Sequence, residues 1–415
     1  MRNPVGRRLL AVLFFCLSWA AQADEPSTAE GAALPAVSLH GFGTLGVSCF
    51  TTREMDFAYN TLPNGPGRTR RCDAGLDSRL GVQMDVQPVD ALTASLQVVT
   101  QREVHSTFRP QVQLASVRWQ VNEAWWLRLG RVNNPLFMES EYRLAHYALT
   151  GVRPPVEVYG LAPTYVMDGL DSRYHFVIAG WRAELYGGMH TYDIKARQGN
   201  SQGINVYPVR NIRTLTLSAA QGAWSFKAGY NTNHATFIEP RTEMLFGVLQ
   251  SMQAGGLADD LRLSGTPVHI LSLGARYDDN EWLVQSEAVL RDMQRSYVRD
   301  AWAGYLTVGR RFGIWMPYAT IVQRRTSGRL SDPRTPAVLV RYVNELLAAT
   351  RYDQHSLSLG LSREMGKGML GKLQVQWIRP DKNAWGNSLT NYAPGFNPGE
   401  PAHGVLISAN LDFIF

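Results

Sequence analysis

The stretch from Gly404 to Phe415 constrains the fold more than any other. Val405, Ile407, Ala409, Leu411, Phe413 and Phe415 alternate with Ser408, Asn410 and Asp412. Successive side chains of an extended chain point to opposite sides, so one face of this strand is apolar and the other polar. A soluble sheet can use such a strand. Two aromatics ending the apolar face suit a membrane barrel better, because its outward surface is apolar and banded by aromatic girdles.

The same plan recurs along the chain. Leu80, Val82, Met84 and Val86 oppose Arg79, Gln83 and Asp85, and after a turn at Pro88–Asp90 the residues Leu92, Ala94, Leu96 and Val98 alternate with Thr93, Ser95 and Gln97. Comparable segments run at 111–121, 125–132, 172–179, 181–190, 212–220, 223–232, 268–277, 281–291, 302–312, 315–324, 355–363 and 372–378. With Val37–Phe50 at the start, this predicts about sixteen strands, apolar outside and polar inside, each long enough to cross a bilayer on a tilt.

Connections add a second signal. Short turns at 122–124, Gly180, 221–222, 278–280, Gly313 and 366–371 alternate with long irregular segments at 51–71, 133–170, 192–210, 235–266, 325–352 and 381–402, with 105–109 an exception. A barrel with short turns on one rim and long loops on the other has this rhythm. A sandwich would place its apolar faces inward and has no need of it.

The N-terminus reads as an export signal. Arg2, Arg7 and Arg8 precede an apolar run from Leu9 to Ala21, and Ala21-Gln22-Ala23 forms a small-x-small cleavage site. The run is too short to span a bilayer as a helix. Phe15 before Cys16 is too large for a lipoprotein site. We therefore expect residues 1–23 to be a signal peptide, 24–36 a short lead and 37–415 the barrel.

The formal charge of +6 includes three signal arginines, so the mature chain is nearly balanced and carries no basic patch for nucleic acid. Cys49 and Cys72, the two cysteines beyond the signal, flank one loop and permit a disulfide in an oxidising compartment.

Several motifs carry no chemistry. Gly41-Phe42-Gly43-Thr44-Leu45-Gly46 has the spacing of a dinucleotide loop, but it lies in a strand with no helix after it. Gly199-Asn200-Ser201-Gln202-Gly203 matches a nucleophile elbow only in spelling, since it falls in a loop. No histidine stands at metal-ligand spacing, and no cofactor is expected. Residues 242–263 and 336–349 have helical apolar periodicity and suit loops packed on the barrel rim.

The signal peptide, the opening Val37-Ser38-Leu39-His40-Gly41, Gly130-Arg131 followed by Pro135, and terminal Phe415 together resemble the trimeric, sixteen-stranded porins of Gram-negative bacteria. The resemblance implies an all-β transmembrane barrel in the cell outer membrane, exported through the periplasm. It further implies a homotrimer in contact with outer-membrane lipid and lipopolysaccharide. Phe415 would be read by the barrel-assembly machinery, and the third loop, here 133–170, would fold into the lumen. This loop carries Glu139-Ser140-Glu141-Tyr142-Arg143 and Val152–Glu157 where the family has a Pro-Glu-Phe-Gly-Gly run.

A barrel of this size leaves an aqueous path. Alternation points Arg79, Arg118, Arg128, Arg182, Lys227, Arg276, Arg291 and Lys372 inward, and places Glu139, Glu141, Arg143, Arg153, Glu157, Asp168 and Asp171 on the loop as constriction candidates. The expected function is passive diffusion of small hydrophilic solutes with a weak anion preference and no catalysis. The alternatives are a barrel hydrolase acting on lipid or peptide, for which no Ser–His pair suggests itself at the rim, and a receptor whose long loops bind a surface ligand.

Overall fold

The computed structural model describes residues 36–59, 62–196, 204–386, 388–399 and 403–415. The expected signal peptide and the Gly199–Gly203 run lie outside the described residues. Sixteen antiparallel strands form the barrel: β1 (Ala36–Phe50), β2 (Arg79–Val89), β3 (Leu92–Arg102), β4 (Phe108–Gln120), β5 (Trp125–Asn133), β6 (Val166–Ile178), β7 (Trp181–Ala196) and β8 (Asn205–Gln221), followed by β9 (Trp224–Ala235), β10 (Thr266–Asp278), β11 (Trp282–Met293), β12 (Asp300–Arg310), β13 (Trp315–Ser327), β14 (Gln354–Gly366), β15 (Met369–Pro380) and β16 (Gly404–Ile414).

Closure is made by the first and last strands. β1 pairs with β16 from Phe42↔Ile414 to Phe50↔Leu406, and Gly41 and Phe415 exchange backbone hydrogen bonds of 2.8 and 3.0 Å. On the lumen side Thr44 donates to Asp412 at 2.8 Å, and the Ser48 and Ser408 hydroxyls meet at 2.7 Å. On the outer side a Cβ at Gly41 or Gly43 would overlap the rings of Phe415 and Phe413. The glycine run that imitates a phosphate loop is thus a bed for the closing aromatics. Closure leaves no open strand edge, which the bilayer core requires.

Outward residues such as Leu45, Val117, Leu129, Leu215, Leu273 and Leu373 are exposed and apolar. Near the short-turn rim rings gather in contact: Trp224 lies 4.9 Å from Tyr277 and 5.8 Å from Phe226, and Phe413 lies 6.4 Å from Phe415. An apolar belt with an interfacial girdle is the surface a membrane barrel presents.

The seven turns at 90–91, 121–124, 179–180, 222–223, 279–281, 311–314 and 367–368 share the rim with Ala36 and Phe415. The opposite rim carries every long connection. Strands there extend further than the sequence suggests: β7 and β8 pair up to Ala196↔Asn205, where a loop at 192–210 is expected. A bulge between Val209 and Ile212, with Asn211 at φ 52°, shifts the phase of alternation and hides this extension. Above the lipid a strand also needs no apolar outer face.

The helical stretches form as expected and pack on the rim. Helices α1 (Pro240–Ser251), α2 (Gly255–Leu261) and α3 (Val340–Ala349) share a core built on Phe246, Leu249, Leu261, Val343, Leu347 and Tyr297. On the other side of the mouth Asp56–Phe57 pairs with Leu389–Thr390, so the first and last long loops are stitched together. Cys49 and Cys72 face each other in register with their sulfurs bonded and Cα atoms 4.0 Å apart.

Candidate functional site: an inward loop and two basic cavities

Residues 134–165, between β5 and β6, lie across the lumen and are fixed to the far wall at both ends. At one end Ser272 donates to the Leu136 carbonyl at 2.8 Å, and Glu287 accepts from the Met138 N–H at 2.9 Å. Gln285 donates to Glu139 at 3.0 Å. At the other end Lys372 donates to the carbonyls of His146, Leu149 and Gly151 at 2.5, 2.6 and 3.1 Å while pairing with Asp412 at 3.2 Å. Arg153 binds Asp77 through two contacts of 2.6 and 3.0 Å and donates to Ser48 and Ser408 at 3.0 and 2.9 Å. Glu157 accepts from Gln354 and Ser356, both at 2.7 Å.

Between these anchors the loop packs apolar residues on the barrel interior. Leu136, Phe137, Val158, Tyr159 and Leu161 meet the inward side chains Val268, Ile270, Val289, Ala303, Tyr305 and Val322. This corrects the expectation of a polar interior throughout. The inner face of β10–β13 is apolar because the loop, rather than water, covers it.

The expected constriction residues fall into different environments, with Arg153 and Glu157 serving as the anchors just described. Asp168 and Asp171 lie on β6 rather than on the loop, and they pair with Arg131 at 2.8 Å and Arg128 at 2.9 Å. The loop is shorter than expected because β6 begins at Val166. Glu139 is buried in the seam, where burial raises its pKa and Gln285 only partly compensates; it is not a channel-lining charge. Glu141 is tied to Arg173 and lies 3.9 Å from Lys227. Arg143 and Asp168 are the members of this set that line the open vestibule described below.

Of the remaining candidates, Arg118, Arg128 and Arg173 surround Trp126, with their guanidinium carbons 5.9, 5.2 and 5.4 Å from the ring. Arg182 is exposed close to the same short-turn rim, and Arg276 is bound to Asp278 at 2.8 Å. Lys372 is an anchor of the loop. Arg79 and Arg291 face the cavities described next.

A vestibule of about 720 Å³ opens at the long-loop mouth between the loop and the wall from β2 to β8. Its cations include Arg79, Arg102, Arg109, Arg131, Arg143 and Arg210. Its carboxylates are engaged: Glu103 with His105, Asp168 with Arg131, and Asp193 with Arg210 at 2.6 Å. A second chamber of about 360 Å³ adjoins it, sharing Tyr59, Leu62, Arg79, Arg143, Pro163 and Tyr165, and adds Arg291, Arg324 and Tyr352. Among the described residues no carboxylate lines this chamber.

Burial and then the neighbouring Arg79 charge push the Arg143 pKa down to about 10, with Tyr165 acting the other way; the group remains a cation at neutral pH. Burial, with the nearby Arg79, Lys372, Arg153 and Arg143 charges, holds His146 well below its usual range and therefore uncharged. Alternation alone could have marked Arg324, which shares the inward phase of Tyr318, Thr320 and Val322. Arg102 and Arg109 lie at the mouth ends of β3 and β4, where the apolar half of the pattern fades.

A closed sixteen-strand barrel, an inward loop between β5 and β6, and short turns beside both strand ends occur together here. The fold is that of a porin. In solved structures the chain is similar to the outer-membrane channel DcaP of Acinetobacter baumannii (10% identity, 94% of this chain and 100% of that chain, TM-score 0.54). It is also similar to an anion-selective porin from Comamonas acidovorans (12%, 92% and 100%, TM-score 0.53), and to OmpF of Salmonella typhi in complex with daunomycin (12%, 91% and 97%, TM-score 0.53). No protein-family model matches the chain, and no curated protein matches it in sequence. The likeness to porins therefore rests on architecture, and the charges that set selectivity must be read from this chain's own lumen.

Proposed function

We propose that the protein is an outer-membrane channel for passive diffusion of small hydrophilic solutes, with a preference for anions. The observation that carries this reading is the vestibule: a water-accessible, cation-rich space bounded by the inward loop, in which each carboxylate is matched by a basic partner and, among the described residues, Arg109 and Arg143 have no carboxylate within ion-pair distance. Opposed and unopposed charges at a narrowing are what tune ion preference in a channel. The apolar belt and the porin fold support placement in the outer membrane of a Gram-negative bacterium after export. The same fold supports a homotrimer in outer-membrane lipid and lipopolysaccharide, with Phe415 as the assembly signal.

Refolded protein in planar bilayers should show discrete conductance steps, and its reversal potential in a potassium chloride gradient should shift toward the chloride equilibrium. Absence of steps would reject the channel, and a shift toward potassium would reject the anion preference.

A further inference from the structure

Several lumen arginines have a carboxylate: Arg128 has Asp171, Arg131 has Asp168, Arg153 has Asp77 and Arg173 has Glu141. The chamber behind the vestibule differs. Arg79, Arg143 and Arg291 approach it from β2, the inward loop and β11, and no carboxylate lies within ion-pair distance of any of the three among the described residues. Arg79 donates to the Tyr59 hydroxyl at 2.7 Å and to the Asp77 carbonyl at 3.2 Å, and Arg291 donates to the Arg299 carbonyl at 2.9 Å. The Nε–H groups of Arg143 and Arg291 are buried without an acceptor. Several guanidinium groups removed from water with donors unspent form a site that gains from an oxyanion, because a buried cation is costly until it is paired.

The walls restrict what such an anion can be. Tyr59, Tyr159, Tyr165 and Tyr352 line the chamber together with Leu62 and Leu389. The Arg143 guanidinium lies 4.5 Å from the Tyr165 ring centre, and that of Arg324 lies 5.5 Å from Tyr352. Burial raises the pKa of Tyr165 to about 12, so this hydroxyl stays protonated and can donate. A strongly hydrated ion such as phosphate would lose water against these rings without compensation. A flat apolar body would replace that water with ring contacts. A cavity of about 150 Å³ holds benzene, so a chamber of about 360 Å³ admits one aromatic ring, its carboxylate and some water.

We propose that this arginine–tyrosine chamber is a recognition site for carboxylates with a flat aromatic body, entered from the vestibule between Arg79 and Arg143. Their forked donors take the carboxylate oxygens at the entrance, and Arg291 and Arg324 with Tyr352 receive the solute further in. The proposal deepens the channel reading by naming a solute class, and it can be tested apart from conduction.

Isothermal titration of the detergent-refolded protein with benzoate, acetate, inorganic phosphate and neutral benzamide gives the first measurement. Benzoate should bind at least tenfold more tightly than acetate or phosphate, and benzamide should show no binding. Arg143→Gln and Arg291→Gln should each weaken benzoate roughly tenfold, while Arg341→Gln on the exposed face of α3 should not; circular dichroism and heat-modifiable electrophoretic mobility confirm that each variant is folded. Phosphate binding as tightly as benzoate, benzamide binding as tightly as benzoate, or unchanged benzoate affinity in folded Arg143→Gln would overturn the proposal. Benzoate binding without bilayer conductance would keep the site and reject the channel. Conductance with no preference among these solutes would do the reverse.

Discussion

The two halves of the lumen wall obey different physics. From β10 to β13 the inner face carries Val268, Ile270, Val289, Ala303 and Val322, and the inward loop packs on it as on a soluble core. From β2 to β6 the inner face carries Gln83, Asp85, Gln97, Arg131 and Asp168, joined sideways by bonds such as Gln97 to Gln83 at 2.9 Å and Gln83 to Asp85 at 2.9 Å. Both halves face lipid with the same apolar alternation. The difference teaches that the inside of a barrel strand is polar only where water reaches it, and that position of the loop decides which half stays open.

The sharpest way to break this comparison is to place a charge on each half. Ala303→Asp buries an unpaired carboxylate under the loop and should cost about 5 kcal/mol or prevent refolding. Gln97→Asp on the wet half should stay within about 1 kcal/mol. Urea unfolding followed by tryptophan fluorescence measures both, and equal costs would erase the distinction.

A somewhat smaller loss is expected from Arg153→Ala. It leaves Asp77 buried without its cation, at about 3–4 kcal/mol, and it releases one end of the loop from β1 and β16. Single-channel conductance should rise and fluctuate as the loop loosens; unchanged conductance in a folded variant would mean that Lys372 and Glu157 suffice as anchors. Tyr159→Phe removes the hydroxyl that accepts from the Glu139 N–H at 2.8 Å and hydrogen-bonds the Glu287 carboxyl, and should cost about 1–2 kcal/mol with conductance unchanged.

The smallest effect is a pH dependence of the anchor. Burial raises the Asp77 pKa, but the Arg153 charge and hydrogen bond, with Arg79 and Ser48, outweigh it and hold the carboxyl below its ordinary value of 3.8. A depressed carboxylate contributes stability that is fully present above its unfolded pKa and is lost as pH falls through the folded one. Conductance noise from loop motion should therefore be level above about pH 4 and grow below it, and Arg153→Ala should abolish that dependence.

Much of the barrel was legible. The Gly404–Phe415 alternation fixed which side chains face lipid, and the need to leave no strand edge in the bilayer requires it to pair with Val37–Phe50, as the β1–β16 register shows. The rim helices were legible for the same reason, since Met244, Leu245, Val248 and Leu249 recur at helical spacing. The site was less so. Asp168 and Asp171 read as loop residues because polar strand ends look like loops. Glu139 read as a constriction acid because a charge in a loop is usually solvated, whereas this one is buried beside Gln285. Arg324 was overlooked although its phase points inward.

Alternation, turn spacing and the need to leave no strand edge in lipid are local or topological constraints, and through them the sequence by itself determined a barrel, its inside and its outside. Which arginines keep a carboxylate and which are left facing a cavity depends on how the 134–165 loop lies across the lumen. That placement is set by contacts between residues far apart in sequence, such as Arg153 with Asp77 and Ser408 or Lys372 with Leu149. No periodicity encodes such contacts, so only the tertiary structure could decide where the lumen is filled and where it remains open and basic.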